Sequence, residues 1–185
     1  MRRIAVIASL LALAACGHSP PTRFFTLSPV GPENGPARAS NGPIQLDAVH
    51  IPAELDRPQM VRQVSANRLE IEEQDRWGAP LGAMMRRTLA QDLLARLPAG
   101  AFILPDAPRA GGVRGLVVNI LELQASDGRV ILQASWSLIE EGEARPAVTR
   151  DVELSAEAGG GPAGEASAIS KVLGSLADRI AKEAG

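Results

Sequence analysis

The only thiol in the chain is Cys16, and the residues around it define what it can do. Met1-Arg2-Arg3 is a short basic segment, Ile4 to Ala15 is an apolar run, and Leu13-Ala14-Ala15 leads directly into Cys16. Charge, apolar stretch and small residues in that order make a bacterial export signal. The apolar run has about a dozen residues, short of the roughly 20 a helix needs to cross a bilayer. A lone thiol is the one soft nucleophile of the chain, and the small side chains of Ala14 and Ala15 before it let a peptidase approach the backbone.

The Leu13–Cys16 segment resembles a bacterial lipobox. That resemblance implies a diacylglyceryl group on the Cys16 sulfur, removal of residues 1–15, and acylation of the new amine. Each buried CH₂ contributes about 0.8 kcal/mol and two chains already anchor stably, so three would hold the protein on its membrane. The alternative is an ordinary cleaved signal beside a coincidental cysteine. Gly17 follows Cys16, where an aspartate would resemble an inner-membrane retention signal. The expected destination is therefore the periplasmic leaflet of the outer membrane in a Gram-negative bacterium.

Behind the signal, residues 16–22 read as a lipidated tether and residues 23–185 as one domain. Gly17 to Thr22 reaches at most roughly 20 Å, which keeps the body close to its membrane. Removal of residues 1–15 from the 185 leaves 170, enough for one real core. Arg2 and Arg3 leave with the signal, so 17 basic residues face 21 acidic ones. That balance argues against nucleic acid and against a polybasic membrane patch. One cysteine committed to lipid leaves no internal disulfide. Aromatics are few (three Phe, two Trp, no Tyr), which disfavours sugar platforms and ammonium cages.

The elements follow from periodicity. Arg23 to Ser28 reads as a first strand, and Pro29 to Pro43 as an irregular loop. In Ile44 to Ile51, Ile44, Leu46, Ala48 and His50 share one side of a strand that Pro52 ends. Met60–Ser65 and Arg68–Asp75 form a hairpin whose Ala66-Asn67 turn uses asparagine's tolerance of positive φ. In its second strand Leu69 and Ile71 alternate with Arg68, Glu70 and Glu72, so one face is wet.

Pro80 to Leu97 is a helix with Leu81, Met84, Met85, Leu89, Leu93 and Leu97 on one stripe; Arg86, Arg87, Gln91 and Asp92 fall elsewhere on the wheel. Ala101 to Leu104 is a short strand. Val113–Ala125 and Arg129–Ile139 form a hairpin across Ser126-Asp127-Gly128, and Arg145–Ala156 adds a third strand. Ala158 to Gly164 reads as a connector. Glu165 to Glu183 is a second helix with Ile169, Val172, Leu173, Leu176 and Ile180 as its stripe. The expected fold class is α+β: a two-layer domain, two amphipathic helices packed on a mostly antiparallel sheet.

Three blocks carry a further resemblance. They are Arg23-Phe24-Phe25-Thr26-Leu27; Val49-His50-Ile51-Pro52-Ala53-Glu54-Leu55-Asp56-Arg57-Pro58-Gln59-Met60-Val61; and Arg76-Trp77-Gly78-Ala79-Pro80-Leu81. The strand around Trp136 and the helix from Ser170 to Ile180 follow. Together they resemble the PqiC/YmbA-type auxiliary lipoproteins of ABC transporters, across essentially the whole mature chain. Leu-Asp-Arg-Pro and Arg-Trp-x-x-Pro-Leu at this spacing are specific as a pair and weak singly. The resemblance implies an outer-membrane lipoprotein facing the periplasm. Its implied partner is an MCE-domain protein of the same lipid-transport system, to which it acts as a docking or accessory subunit. A ring-like homo-oligomer would suit a docking collar. Leu55 departs from the family, which often has an aromatic there. The alternative function is a periplasmic lipid- or lipoprotein-binding carrier held on the same anchor.

Asp56, Arg57, Arg76 and Trp77 are the candidate partner-binding residues. Pro52 and Pro58 stiffen the segment between them, and Asp56 and Arg57 point opposite ways in an extended chain. One reading has Asp56 capping a turn and Arg57 tying the loop to the sheet; the other has Arg57 contacting a partner protein or headgroup. Trp77 is either a lid over the core or an interface anchor. Trp136 reads as core. No catalytic set emerges. His18 lies in the tether, and His50 reads as a structural histidine. No metal-ligand spacing is present. Gly159-Gly160-Gly161-Pro162 lacks the Lys-Ser/Thr of a phosphate loop. No cofactor is expected beyond the covalent lipid on Cys16.

Overall fold

The computed structural model describes residues 20–32, 35, 41–126, 128–140, 142–143 and 148–184. Ala15, Cys16 and the first part of the tether, including His18, lie outside these residues. So do Asp127 and residues 144–147 at the start of the expected third strand.

Among the described residues, eight strands and two α-helices follow in chain order: β1 (Arg23–Phe25), β2 (Ile44–His50), β3 (Gln59–Ser65), β4 (Arg68–Trp77), α1 (Leu81–Arg96), β5 (Phe102–Ile103), β6 (Arg114–Ser126), β7 (Arg129–Ile139), β8 (Val148–Glu157) and α2 (Gly161–Ala184). The fold is α+β, as the sequence implies. The strands divide into two sheets, ordered β1-β4-β3 and β5-β2-β6-β7-β8. Both sheets are mixed: β1 runs parallel to β4, and β2 runs parallel to β5 and β6, while the remaining pairs are antiparallel.

β7 shows why one face of the larger sheet is the core. Val130, Leu132, Ala134, Trp136 and Leu138 are buried, and the residues between them are half-buried or exposed. This period of two is what a sheet covered on one side requires. The stripe of α1 and that of α2 cover the buried face, and every stripe residue named above is buried. Gly128 takes φ +73 at the β6–β7 turn, a conformation glycine adopts without steric cost. A bulge at Leu121 lets Ile120 and Leu123 both face inward, which strict alternation would forbid.

Four local readings are corrected. β2 carries a bulge between Leu46 and Ala48. Asp47 turns outward to pair with Arg109, and the inward phase shifts to Val49, opposite Val118. His50 therefore ends the strand exposed and is not a core histidine. Asn67 does not use a positive φ; the β3–β4 turn is instead helped by Gln63 Nε2 donating to the Ala66 carbonyl at 3.3 Å. Residues 64–71 are all exposed, so the far end of that hairpin stands clear of the core and leaves Leu69 and Ile71 at 47% and 41% exposure. Finally, α2 begins at Gly161, four residues before Glu165. Pro162 suits its first turn. A Cβ on Gly164 would lie 2.1 Å from the Gly159 carbonyl oxygen, so only glycine fits that approach.

Candidate functional site

The Leu-Asp-Arg-Pro segment folds into two consecutive tight turns. Ala53–Leu55 is one 3₁₀ turn that buries Leu55. Asp56 follows with φ −81 and ψ 65, and the Arg57 N–H donates to the Leu55 carbonyl at 2.9 Å. That is an inverse γ-turn centred on Asp56. The turn is made by backbone, and the Asp56 carboxylate stays exposed rather than capping it. Pro58 then hands the chain to β3, where Gln59 pairs with Arg76.

The Arg-Trp-x-x-Pro-Leu segment is the end of β4 and the start of α1. Trp77 donates its N–H to the Pro58 carbonyl at 2.7 Å, and Gly78 donates to the Phe25 carbonyl at 2.8 Å. The carbonyl of Pro80 accepts the first helical bond from Met84 at 3.1 Å. Pro58 and Pro80 each lack an N–H, so their carbonyls do the anchoring while their rings stay free to form a wall.

These two segments meet. Asp56, Arg57 and Pro58 line one side of a groove of about 400 Å³, and Trp77, Ala79 and Pro80 line the other. Three of the four candidate residues thus share one surface. Arg76 does not; it neighbours Trp77 in the strand and so projects to the opposite face. Trp77 is 6% exposed, which makes it a lid over the core whose edge also forms part of the groove. The Nε of Arg57 and the Nε of Arg76 are each buried without a hydrogen-bond partner. The Nε of Arg57 thus adds no bond between its loop and the sheet, whereas the Pro58 carbonyl makes one to Trp77. Below Trp77, a void between Leu55, Leu81 and Ile169 holds only about 10 Å³, at most the space of a single water.

Two charged groups lie outside the lining of this groove. Arg23 grips Asp75 through Nε at 2.6 Å and Nη2 at 2.8 Å. Asp75 is 3% exposed. Nearby, Glu165 is buried in the first turns of α2, with the Arg62 guanidinium 4.0 Å away. Burial pushes the Glu165 carboxyl up to about 7; Arg62 opposes the shift, and the neighbouring carboxylates Glu72 and Asp75 add to it.

The second unexpected group lies between the helices. Thr88, Asp92 and Arg96 of α1 are all buried, although Asp92 falls off the apolar stripe. Asp92 Oδ1 accepts the Val30 N–H at 2.7 Å, and Arg96 Nη1 donates to the Val30 carbonyl at 2.7 Å. Ser28 donates its N–H to Ser170 Oγ on α2 at 3.2 Å. The chain entering from the tether is thereby stitched along the seam of both helices. Burial raises the Asp92 carboxyl to about 6, against the lowering effects of the Val30 N–H and Arg96. No group of His, Cys, Asp and Glu suited to a metal ion occurs among the described residues.

A family model for the ABC-type transport auxiliary lipoprotein component matches residues 25–181. The intermembrane transport lipoprotein PqiC of Escherichia coli K12 is 26% identical over 146 residues, covering 77% of each chain. The PqiC of Shigella flexneri gives the same values. Among solved structures, that of an uncharacterized protein covers 89% of this chain and 99% of its own, with a TM-score of 0.74 and 20% identity. A Xanthomonas campestris protein covers 85% of this chain and 90% of its own, with a TM-score of 0.65 and 12% identity. These two likenesses concern the fold alone.

Proposed function

This chain belongs to the family of ABC-type transport auxiliary lipoprotein components, and from that membership we propose that it is a noncatalytic accessory subunit of an MCE-type intermembrane lipid-transport system. In this reading Cys16 carries the lipid that holds the body at the periplasmic face of the outer membrane. The body then docks the MCE-domain protein of the same system.

The observation that supports docking is the convergence of two distant segments on one groove. Asp56, Arg57 and Pro58 face Trp77, Ala79 and Pro80 across a groove of about 400 Å³. A rigid rim of two prolines, an indole edge and one guanidinium is the composition of a protein-binding hot spot. The carrier reading needs an enclosed acyl-chain cavity; the void beneath Trp77 holds only about 10 Å³, and the larger hollows of the body are open grooves.

The test is affinity purification of the tagged, lipidated protein from membranes that also contain the MCE-domain protein. Co-purification that Arg57→Ala abolishes at unchanged melting temperature is the expected result. Failure of the wild-type chain to retain the MCE protein would overturn the docking role.

A further inference from the structure

A second groove lies on the side of the molecule where the tether enters, and nothing in the proposed function uses it. It runs between β1, the segment after it, and α2, with a volume of about 440 Å³. Phe24, Phe25, Pro29, Val30 and Ala166 give it an apolar wall, and Lys171 is its single charged lining residue. Phe24 is 68% exposed, the most exposed large hydrophobic side chain among the described residues. β1 is also an edge strand, paired only with β4.

Two observations identify what covers this face. The first is reach. Phe24 lies eight residues after Cys16, so at most about 28 Å of extended chain separates it from the anchor. The second is charge. The lining contains no carboxylate. Arg23 lies beside it, 60% exposed above buried Asp75, and exposed Arg87 donates to Thr26 Oγ1 at 3.4 Å. Asp75 compensates Arg23, which leaves Lys171 and Arg87 as the cations at this surface; an apolar wall with such a rim and an exposed aromatic on top matches the boundary between phospholipid headgroups and acyl chains.

We propose that the Phe24–Lys171 face lies against the phospholipid bilayer that carries the Cys16 lipid, with the Phe24 ring in the interface and Lys171 at anionic headgroups. This rests on the anchor assigned above. It fixes the orientation of the body: the face bearing Phe24 turns to the membrane, and the tether acts as a short hinge rather than a free leash.

Fluorescence of a Phe24→Trp variant tests the contact. The lipidated protein is reconstituted into phosphatidylethanolamine–phosphatidylglycerol vesicles with brominated acyl chains. The native Trp77 and Trp136 are 6% and 3% exposed, so quenching above that of the parent chain reports position 24. Added quenching that Lys171→Glu reduces supports the proposal. Quenching equal to the parent, with lipid confirmed on Cys16 by mass spectrometry, overturns it. If mass spectrometry shows a free thiol, the anchor itself fails. The same vesicles are then added to the unlipidated protein, where quenching supports the membrane face and its absence overturns it. Blue-shifted emission from the indole introduced at position 24, untouched by bromine, would assign the face to a second copy of the chain and also overturn the proposal.

Discussion

Arg96 of α1 and Asp178 of α2 form a two-pronged ion pair, Nε to Oδ1 at 2.6 Å and Nη2 to Oδ2 at 3.2 Å. The same guanidinium holds the carbonyls of Val30 and Asp92. One buried cation thus joins both helices and the incoming chain. Arg96→Ala leaves Asp92 buried without its counter-ion and should cost about 3 to 5 kcal/mol. Asp178→Asn, at a half-exposed position, should cost much less. Urea denaturation of the two variants checks the ordering.

Stability should fall as pH rises from about 4 to 7. Asp92 and Glu165 have folded-state values near 6 and 7, above the ordinary carboxylate values of 3.8 and 4.5. The folded state therefore holds these protons more tightly than the unfolded chain. Their contribution is fully present below the unfolded values, declines above them, and is gone once pH has passed the folded values. Glu165→Gln should flatten the upper part of this window and Asp92→Asn the lower part. Denaturation midpoints across the pH range measure both.

Arg57 and Trp77 share a groove but should separate in their effects. Arg57→Ala removes a half-buried side chain whose Nε has no internal partner and should change stability by no more than about 1 kcal/mol. Trp77→Ala empties the lid of the core and should cost about 3 to 5 kcal/mol. Calorimetry alongside partner capture tells the two apart: lost binding with an intact fold for the first, lost fold for the second.

Gly164→Ala should destabilise the start of α2. The added methyl would meet the Gly159 carbonyl, and backbone cannot yield cheaply. About 1 to 3 kcal/mol is the usual cost of such overpacking. Gly160→Ala, where open space surrounds the added carbon, is the control in the same melting experiment.

Much of this was legible from periodicity. The α1 and α2 stripes and the Gly128 hairpin are local patterns, and each follows from one face needing cover. The strand partners were not legible, because nothing in β1 or β2 encodes a parallel neighbour far along the chain. His50 was misplaced for a similar reason: a one-residue bulge at Asp47 inverts the phase of all that follows. The buried polar row of α1 left a fainter trace. Thr88, Asp92 and Arg96 each stand seven residues after a stripe residue, Leu81, Met85 and Leu89. A heptad drifts only about 20° on a helix, so that row borders the stripe, although its polarity suggests solvent. The groove was legible as two segments of similar stiffness, but their meeting depends on the Trp77–Pro58 backbone bond.

The stitching of Val30 has a mechanical consequence. A pull arriving from the membrane side meets Arg23–Asp75, then Ser28–Ser170, then the paired bonds of Val30 to Asp92 and Arg96. These contacts fall on β4 and on both helices, so a pull has to break bonds to three different elements in turn before the incoming chain comes free.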